Sequence, residues 1–403
     1  MLTREENELL TRTGPGTPMG GFIRRHWVPV IFSSDLPAPD CPPKRVKLLG
    51  ERLVAWRSTN GQVGLVEERC PHRGASMFFG RNEEDGLRCV YHGWKFDVSG
   101  QCVDMPSEPA DSHFKNKVRI ASYPCVERAG IVWAYLGEPG ERPEFPELEW
   151  TLVPDSHRHV TRHLQECNWL QALEGGFDAS HLCFLHRGDT EGDRTLPDRY
   201  EAVPASVGLV CATGRRSGGG MFWNLEIMAL PFHKLITQQP NRPFGSHIWV
   251  PIDDESCMIY SIEYLPDRPL TPKDIDRSLE YRYIHAENLP GSERCVRNKD
   301  NDYLIDRELQ ASGASYTGMR GFGIQDCGIQ ESMGPILDRT REHLGTADVH
   351  IIQLRRVLLR RLRERTASPP AADYRVRVAN FTLAEGEAVD AAALEKIRTL
   401  QPA

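Results

Sequence analysis

The 403-residue chain carries 49 Lys+Arg against 56 Asp+Glu and is 40% hydrophobic. That is enough apolar material for two or three domain cores, and the mildly acidic balance excludes a general nucleic-acid binder, which needs a basic surplus. The N-terminus has no basic segment followed by an apolar one, and runs such as Gly130–Leu136 fall far short of the ~18 residues of a membrane span; a cytoplasmic protein is expected, with its eleven cysteines as thiols or metal ligands rather than disulfides.

Residues 5–27 start as a helical pattern that breaks at Gly14-Pro15-Gly16, Pro18 and Gly20-Gly21. From Arg45 to Leu136 short strand-like runs dominate, among them Arg45–Leu49, Arg52–Arg57 and Val63–Glu67. Asn60-Gly61 lies between the second and third and suits a hairpin turn, because both residues tolerate positive φ. Ser99-Gly100 and Ala129-Gly130 punctuate later strand pairs. The Pro/Glu/Gly-rich stretch 138–156 reads as a linker.

Beyond it, helical patterns at 165–181, 272–288, 324–340 and 348–365 alternate with strand-like Leu209–Ala212, Phe222–Met228 and Met258–Tyr264. The predicted fold class is α+β. An N-terminal helical segment (1–40) packs on the core. A small all-β domain (41–150) and a C-terminal antiparallel sheet carrying helices (151–403) complete it. The Arg-rich stretch 355–365 has a Val357, Leu358, Leu362 stripe and reads as an ordinary helix with a solvated basic face. The Pro/Ala-rich tail from Thr366 to Asp373 reads as loose.

The first chemical signal is Cys70-Pro71-His72 paired, sixteen residues on, with Cys89-Val90-Tyr91-His92. Four such donors suit either one zinc ion or a [2Fe–2S] cluster with two Cys on one iron and two His on the other. Zinc knuckles usually pair Cys with Cys and His with His, whereas here each knuckle holds one of each. That mixture lets two loops grip opposite sides of a diamond-shaped cluster, with Gly74 and Gly93 allowing backbone amides near its sulfides. At this point the chain resembles the Rieske proteins. Ala75 and Tyr91 stand where the respiratory branch carries extra cysteines, so the resemblance is to the oxygenase or ferredoxin branch.

The second signal is Glu174-x₃-Asp178-x₂-His181-x₄-His186. Glu174, Asp178 and His181 recur at helical spacing on one face. His181 and His186 would stand ~140° apart on an ideal helix, so the helix must bend or end between them. Two His and one distant carboxylate make the facial triad of non-haem Fe(II) oxygenases, which leaves positions open for O₂. Asp300, Asp302, Asp306, Asp326, Glu331 and Asp338 are candidates for the carboxylate.

This motif, behind the first, resembles the Rieske non-haem iron aromatic-ring-hydroxylating oxygenases. Asn7–Val30, Asn298–Gln310 and Gln325–Asp348 look like the phthalate dioxygenase-type branch. The resemblance implies a Rieske domain and a helix-grip catalytic domain. It implies a [2Fe–2S] cluster on Cys70, His72, Cys89 and His92, and Fe²⁺ on His181, His186 and Asp326, with Glu331 as fallback. Asp178 becomes the bridge from an iron-bound His to a Rieske His of the neighbouring subunit, in a homotrimer or hexamer whose centres are close between subunits.

The implied chemistry is dihydroxylation or O-demethylation of an aromatic carboxylate such as a phthalate, benzoate or phenoxybenzoate, using O₂. Gly218-Gly219-Gly220 is no nucleotide fingerprint, so a separate flavin/iron–sulfur reductase must bring electrons from NADH or NADPH. Arg215 or Arg216 could meet the substrate carboxylate, alternation pointing one of them inward; a solvated strand end accounts for them equally well. A Rieske electron carrier without oxygenase chemistry is the alternative, but it leaves Glu174–His186 and the whole second domain unexplained. A zinc-stabilised module would be colourless.

Overall fold

The computed structural model describes residues 1–109, 111–187, 195–205, 207–236, 243–277 and 285–364, with the backbone of Phe381–Ala384. The tail expected to be loose, Thr366 to Asp373, lies outside the described residues, as does much of the helix expected at 272–288. Two compact units emerge, Thr13–Phe145 and the combination of Met1–Arg12 with Pro146–Ala403.

The expected N-terminal segment 1–40 is therefore divided. Helix α1 (Arg4–Thr11) is closed at its start by a capping box between Thr3 and Glu6. It joins the C-terminal unit, where Asn7 Nδ2 donates to the Leu337 carbonyl at 3.1 Å and its Oδ1 accepts from Arg339 at 3.1 Å. Helix α2 (Pro18–Arg24), capped by Thr17, and strand β1 (Trp27–Phe32) belong to the β unit.

That unit continues with β2 (Lys44–Leu48), β3 (Glu51–Arg57), β4 (Val63–Glu67), β5 (Arg81–Glu83), β6 (Gly86–Arg88), β7 (Lys95–Phe96), β8 (Cys102–Asp104), β9 (Cys125–Arg128) and β10 (Ile131–Tyr135). They form three antiparallel sheets, β1-β10-β9, β2-β3-β4 and β5-β6-β7-β8. Ala129 and Gly130 both take positive φ, 55° and 75°, and join β9 to β10 as a two-residue turn. At the other hairpin only Gly61 does so, because the loop is longer and closes with Ser58 N–H on the Gln62 carbonyl. Trp56, Met77, Leu87 and Phe96 fill the core, and Cys70 and Cys89 sit within the same cluster.

The C-terminal unit holds α3 (Glu149–Leu152), β11 (Arg158–Gln165), α4 (Trp169–Phe177), β12 (Arg199–Ala205), β13 (Gly208–Ser217), β14 (Gly220–Ala229), β15 (His233–Ile236), β16 (Phe244–Pro251), β17 (Cys257–Tyr264), α5 (Pro272–Arg277), α6 (Arg307–Ala311), α7 (Phe322–Ser332), α8 (Val349–Glu364) and β18 (Phe381–Ala384). The sheet is antiparallel, in the order β11-β17-β16-β15-β14-β13-β12, with β18 beside β14. The helix expected at 165–181 is shorter at both ends: β11 runs to Gln165, Asn168 caps α4, and Asp178 leaves it in extended conformation. The pattern at 324–340 stops being helical after Ser332.

Strand alternation sorts this sheet into unlike faces. Val210, Ala212, Trp223, Leu225, Ile227 and Leu235 form an apolar cluster on one. The other carries Lys234, His247 and Ser261 in lateral register, with Glu226 and His163 two residues along their strands on the same face. It faces α4 and α7: Lys234 Nζ donates to the Gly176 carbonyl, and Gln165 Nε2 donates to Gln330 Oε1 at 2.7 Å.

A buried ion network braces the helices. Glu174 accepts from Arg339 at 3.0 Å and from Arg355 at 2.6 Å, and Arg355 also reaches Glu342. The solvated basic face expected for 355–365 thus fails at Arg355, which is buried. Burial pushes the Glu174 carboxyl up, but the two guanidinium groups outweigh it and hold it below the usual range. Its stabilising contribution is complete above the unfolded-state pKa of ~4.3 and is lost as pH falls through the depressed folded value. Glu174→Ala strands two buried cations and should cost about 3–5 kcal/mol, read as a lowered denaturant midpoint. Unchanged unfolding would show that water already solvates the pair.

Candidate metal centres

The two knuckles of the β unit share one backbone bracket. Cys70 N–H donates to the Ala75 carbonyl and Gly74 N–H to the Cys70 carbonyl; Cys89 N–H donates to the Trp94 carbonyl and Gly93 N–H to the Cys89 carbonyl. The glycine follows each cysteine by four residues, with φ of 74° and 79°, a conformation that other residues resist. The glycine amides are therefore engaged in closing the turns. The histidine occupies different places in the bracket, the second residue after Cys70 and the third after Cys89.

Both cysteines are buried, and the His72 and His92 rings meet edge to face with centroids 4.3 Å apart. His72 also stacks on Trp94 at 4.4 Å and 13°. Burial raises the Cys70 thiol to about 11, the His72 amide draws it down, and the charge of Cys89 adds to the rise. Two thiolates so placed require a cation. His72 Nδ1 is buried without a hydrogen-bond partner among the described residues, as fits an imidazole that could bind metal through that atom. Among the described residues these four donors do not form a group converging on one point, as the ligands of a single zinc ion would.

The C-terminal unit does contain such a convergence. His181 Nε2, His186 Nε2 and Asp326 Oδ1 form a triangle with sides of 3.2, 3.2 and 3.4 Å. That is the spacing of neighbouring ligands around a first-row metal with bonds of ~2.1 Å. Helix α4 ends at Phe177, and a 3₁₀ turn over His181–Cys183 followed by Phe184 reverses the chain, so the two histidines face each other despite their five-residue separation. Asp326 comes from the middle of α7. His186 is fully buried, while the side chains of His181 and Asp326 are 19% and 25% exposed, so one side of the triangle is open.

Burial works against charge at both His181 and Asp326, yet the groups raise one another's ionisation. Asp178 and Asp326 bring the imidazole to about 9, and the two imidazoles hold Asp326 below the usual carboxylate range. A metal arriving there displaces that proton. Asp178 Oδ2 lies 3.6 Å from His181 Nδ1, and its Oδ1 accepts from the Ser180 amide and hydroxyl.

The remaining candidates go elsewhere. The expected shared face of Glu174, Asp178 and His181 does not exist: Glu174 turns to Arg339 and Arg355, and the other two lie past the helix end. Glu331 accepts from the Tyr303 hydroxyl and the Glu166 amide. Asp300 pairs with Arg294, Asp306 caps α6, and Asp338 binds Thr340; Asp302 lies in a 3₁₀ turn. Arg215 stands on the polar sheet face, half-buried, donating to the Thr195 carbonyl. Arg216 points from the other face into solvent. Sequence reading missed the polar wall of His163, Lys234, His247 and Ser261. The alternation of His159, Thr161, His163 and Gln165 was its one local signal.

Residues 26–124 match the Rieske [2Fe-2S] domain family, and residues 134–198 and 226–389 match the family described as LigXa C-terminal domain like. The chain is 39% identical over 404 residues to the 3-chlorobenzoate-3,4-dioxygenase oxygenase subunit of Comamonas testosteroni, covering 93% of this chain and 92% of that one. It is 38% identical over 384 residues to the phthalate 4,5-dioxygenase oxygenase subunit of Pseudomonas putida, covering 89% and 86%. Dicamba monooxygenase bound to dicamba shares the fold, with a TM-score of 0.61 over 86% of this chain and 99% of that one at 18% identity. The β unit is thus a [2Fe–2S] domain and the second unit an oxygenase catalytic domain. The chain belongs to the Rieske non-haem iron aromatic-ring-hydroxylating oxygenases, as an oxygenase subunit of their phthalate dioxygenase-type branch.

The donor triangle depends on how closely α4 lies on its neighbours. A Cβ on Gly176 would come within 2.4 Å of the Trp249 ring, a rigid and buried obstacle. Gly176→Ala should therefore destabilise by about 1–3 kcal/mol and shift the turn that carries Asp178 and His181. Thermal melting together with metal content checks this. An unshifted melt would mean that the indole can retreat.

Proposed function

We propose that this protein is the terminal oxygenase of a multicomponent system that oxidises an aromatic carboxylate with O₂. The observation that carries the reading is the triangle of His181, His186 and Asp326, two imidazoles and one carboxylate with an open side, which is the donor set of a non-haem Fe(II) site. Cys70, Cys89, His72 and His92 would hold the cluster. Iron bound at the triangle would supply reactivity toward O₂, drawing electrons through that cluster. The sequence carries no convincing nucleotide-binding fingerprint, and the relatives are oxygenase subunits, which supports electrons from NADH or NADPH through a separate flavin/iron–sulfur reductase. A cytoplasmic location accords with that supply.

The chain's own groups have distinct tasks. His186 is held in a dry position, and His181 is oriented by Asp178, whose carboxylate raises its basicity. The family resemblance extends Asp178 to a Rieske histidine of a neighbouring protomer, in a head-to-tail homotrimer or a hexamer built from trimers. Two relatives similar over most of both chains support the substrate class, being named for 3-chlorobenzoate and phthalate. Arg215 remains the candidate cation for the acid group, since it stands on the sheet face turned to the helices, where the exposed Arg216 does not.

The test is iron and sulfide analysis with O₂ uptake across benzoates and phthalates. His181→Ala should lose the mononuclear iron and turnover while keeping the Rieske spectrum. Turnover that survives this change overturns the assignment. Asp178→Asn should bind both metals and reduce normally, but turn over about 10–100-fold more slowly. Single-turnover oxidation of its reduced cluster at the wild-type rate would remove Asp178 from the electron route.

A further inference from the structure

The two imidazoles of the triangle have unlike neighbours at Nδ1. His181 turns Nδ1 toward the Asp178 carboxylate. His186 turns Nδ1 toward Gln325 Oε1 at 2.7 Å. Gln325 is fully buried and immediately precedes Asp326 on α7.

Which end of the Gln325 amide faces His186 is decided by its other contacts. The other end lies 2.9 Å from the Met319 carbonyl and 3.1 Å from Thr317 Oγ1. A carbonyl only accepts, so the atom facing Met319 must be the NH₂ group. Thr317 is itself fixed: Oγ1 accepts from the Met319 amide at 3.1 Å and lies 3.3 Å from the Met319 carbonyl. The amide oxygen is thereby turned to His186, and an oxygen of this kind only accepts. His186 Nδ1 must carry the hydrogen, which leaves the Nε2 lone pair aimed at His181 and Asp326. Phe322 lies flat on the His186 ring, centroids 3.4 Å apart at 12°, and fixes the ring plane.

We propose that Gln325 is a positioning residue that locks His186 in its metal-binding tautomer, so that one histidine of the triangle is oriented by a neutral amide and the other by a carboxylate. The proposal rests on reading His181, His186 and Asp326 as the iron site. In this arrangement His186 contributes a fixed, uncharged donor deep in the fold. His181 lies at the open side, its side chain 19% exposed. Adjacent residues of α7 then serve both histidines: Asp326 closes the triangle, and Gln325 aims one of its corners.

The test is Fe(II) affinity by chelator competition on the full-length protein with its cluster intact, alongside the EPR signal of the nitric oxide adduct of the ferrous site. Gln325→Met keeps the length of the side chain and removes the acceptor. It should weaken Fe(II) binding about 10–100-fold and broaden the adduct signal, with the Rieske spectrum unchanged. Gln325→Glu restores an acceptor toward Nδ1 and should recover affinity close to the wild type, even if the melting temperature falls. Wild-type affinity and a sharp adduct signal in Gln325→Met would overturn the proposal. So would equal losses in the Met and Glu variants, which would mark Gln325 as packing alone. If His181→Ala also binds Fe(II) normally, the metal-site reading itself has failed; if His181→Ala loses iron and Gln325→Met does not, only the positioning role has.

Discussion

Everything at the catalytic site depends on α4 and α7 lying close together, because the turn after α4 and the middle of α7 bring to one point His186 and Asp326, 140 residues apart in sequence. Gly175 and Gly176 permit that approach: a Cβ on the first would meet Gln330 of α7, and on the second Trp249 of the sheet. Two glycines in the last turn of a helix cost roughly 0.8–1 kcal/mol each in propensity. The loss is offset by the hydrogen bond from Gln165 to Gln330, and by Gln171, which donates to the carbonyls of Gln330 and Gly334. The Glu174 network holds the same helix from its other side and ties α8, α1 and the Arg339 segment to it. The acidic residue of the family motif that never touches the metal triangle is therefore the one that positions the helix in front of it.

The electrostatics of the two centres differ in kind. At the knuckles, burial opposes ionisation of the Cys70 thiol, and a bound metal would supply the compensating charge. At the triangle, carboxylates and imidazoles already stabilise one another, and a metal replaces a proton. The knuckle brackets are nearly superimposable in hydrogen bonding, yet the histidine enters at a different step in each. This difference lets His72 and His92 meet edge to face while Cys70 and Cys89 stay in the core. It is what a cluster with unlike iron ligands requires, and what a symmetric four-donor zinc site does not.

Much of this was legible in the sequence where the signal is local. Cys70-x-His72, Cys89-x₂-His92, the His181–His186 spacing and the Ala129-Gly130 turn each declare themselves within a few residues. The break between the two histidines followed from helix geometry alone. What was not legible depends on distant partners. Glu174 fits a helix face with Asp178 and His181 on paper, but two arginines more than 160 residues away turn it elsewhere. Asn7 carries no mark that it will bind Arg339, so α1 could not be assigned to the C-terminal unit. Strand β11 alternates Arg158, Val160, Arg162 and Leu164 with His159, Thr161, His163 and Gln165, a largely polar pattern that resembles solvated chain until β17 pairs with it. Gln325 is an ordinary glutamine until Thr317 and Met319 fix its amide.

The sheet of the catalytic unit shows where stability and function have been separated. A half-buried sheet normally turns its apolar residues toward the helices that cover it. Here an apolar cluster from Val210 to Leu235 occupies the other face, and the face toward α4 and α7 mixes Met228, Trp249 and Ile259 with Lys234 paired with Glu226, His247 behind Ser261, and His163 against Cys327. Burying these groups gains little hydrophobic free energy, and some remain incompletely matched. His163 Nδ1 and His159 Nε2 are buried without a partner among the described residues, and each such atom costs about 1–3 kcal/mol. A fold tolerates that arrangement only if other contacts hold the helices down. The Glu174–Arg339–Arg355 network and the close α4–α7 contact supply them from outside this face.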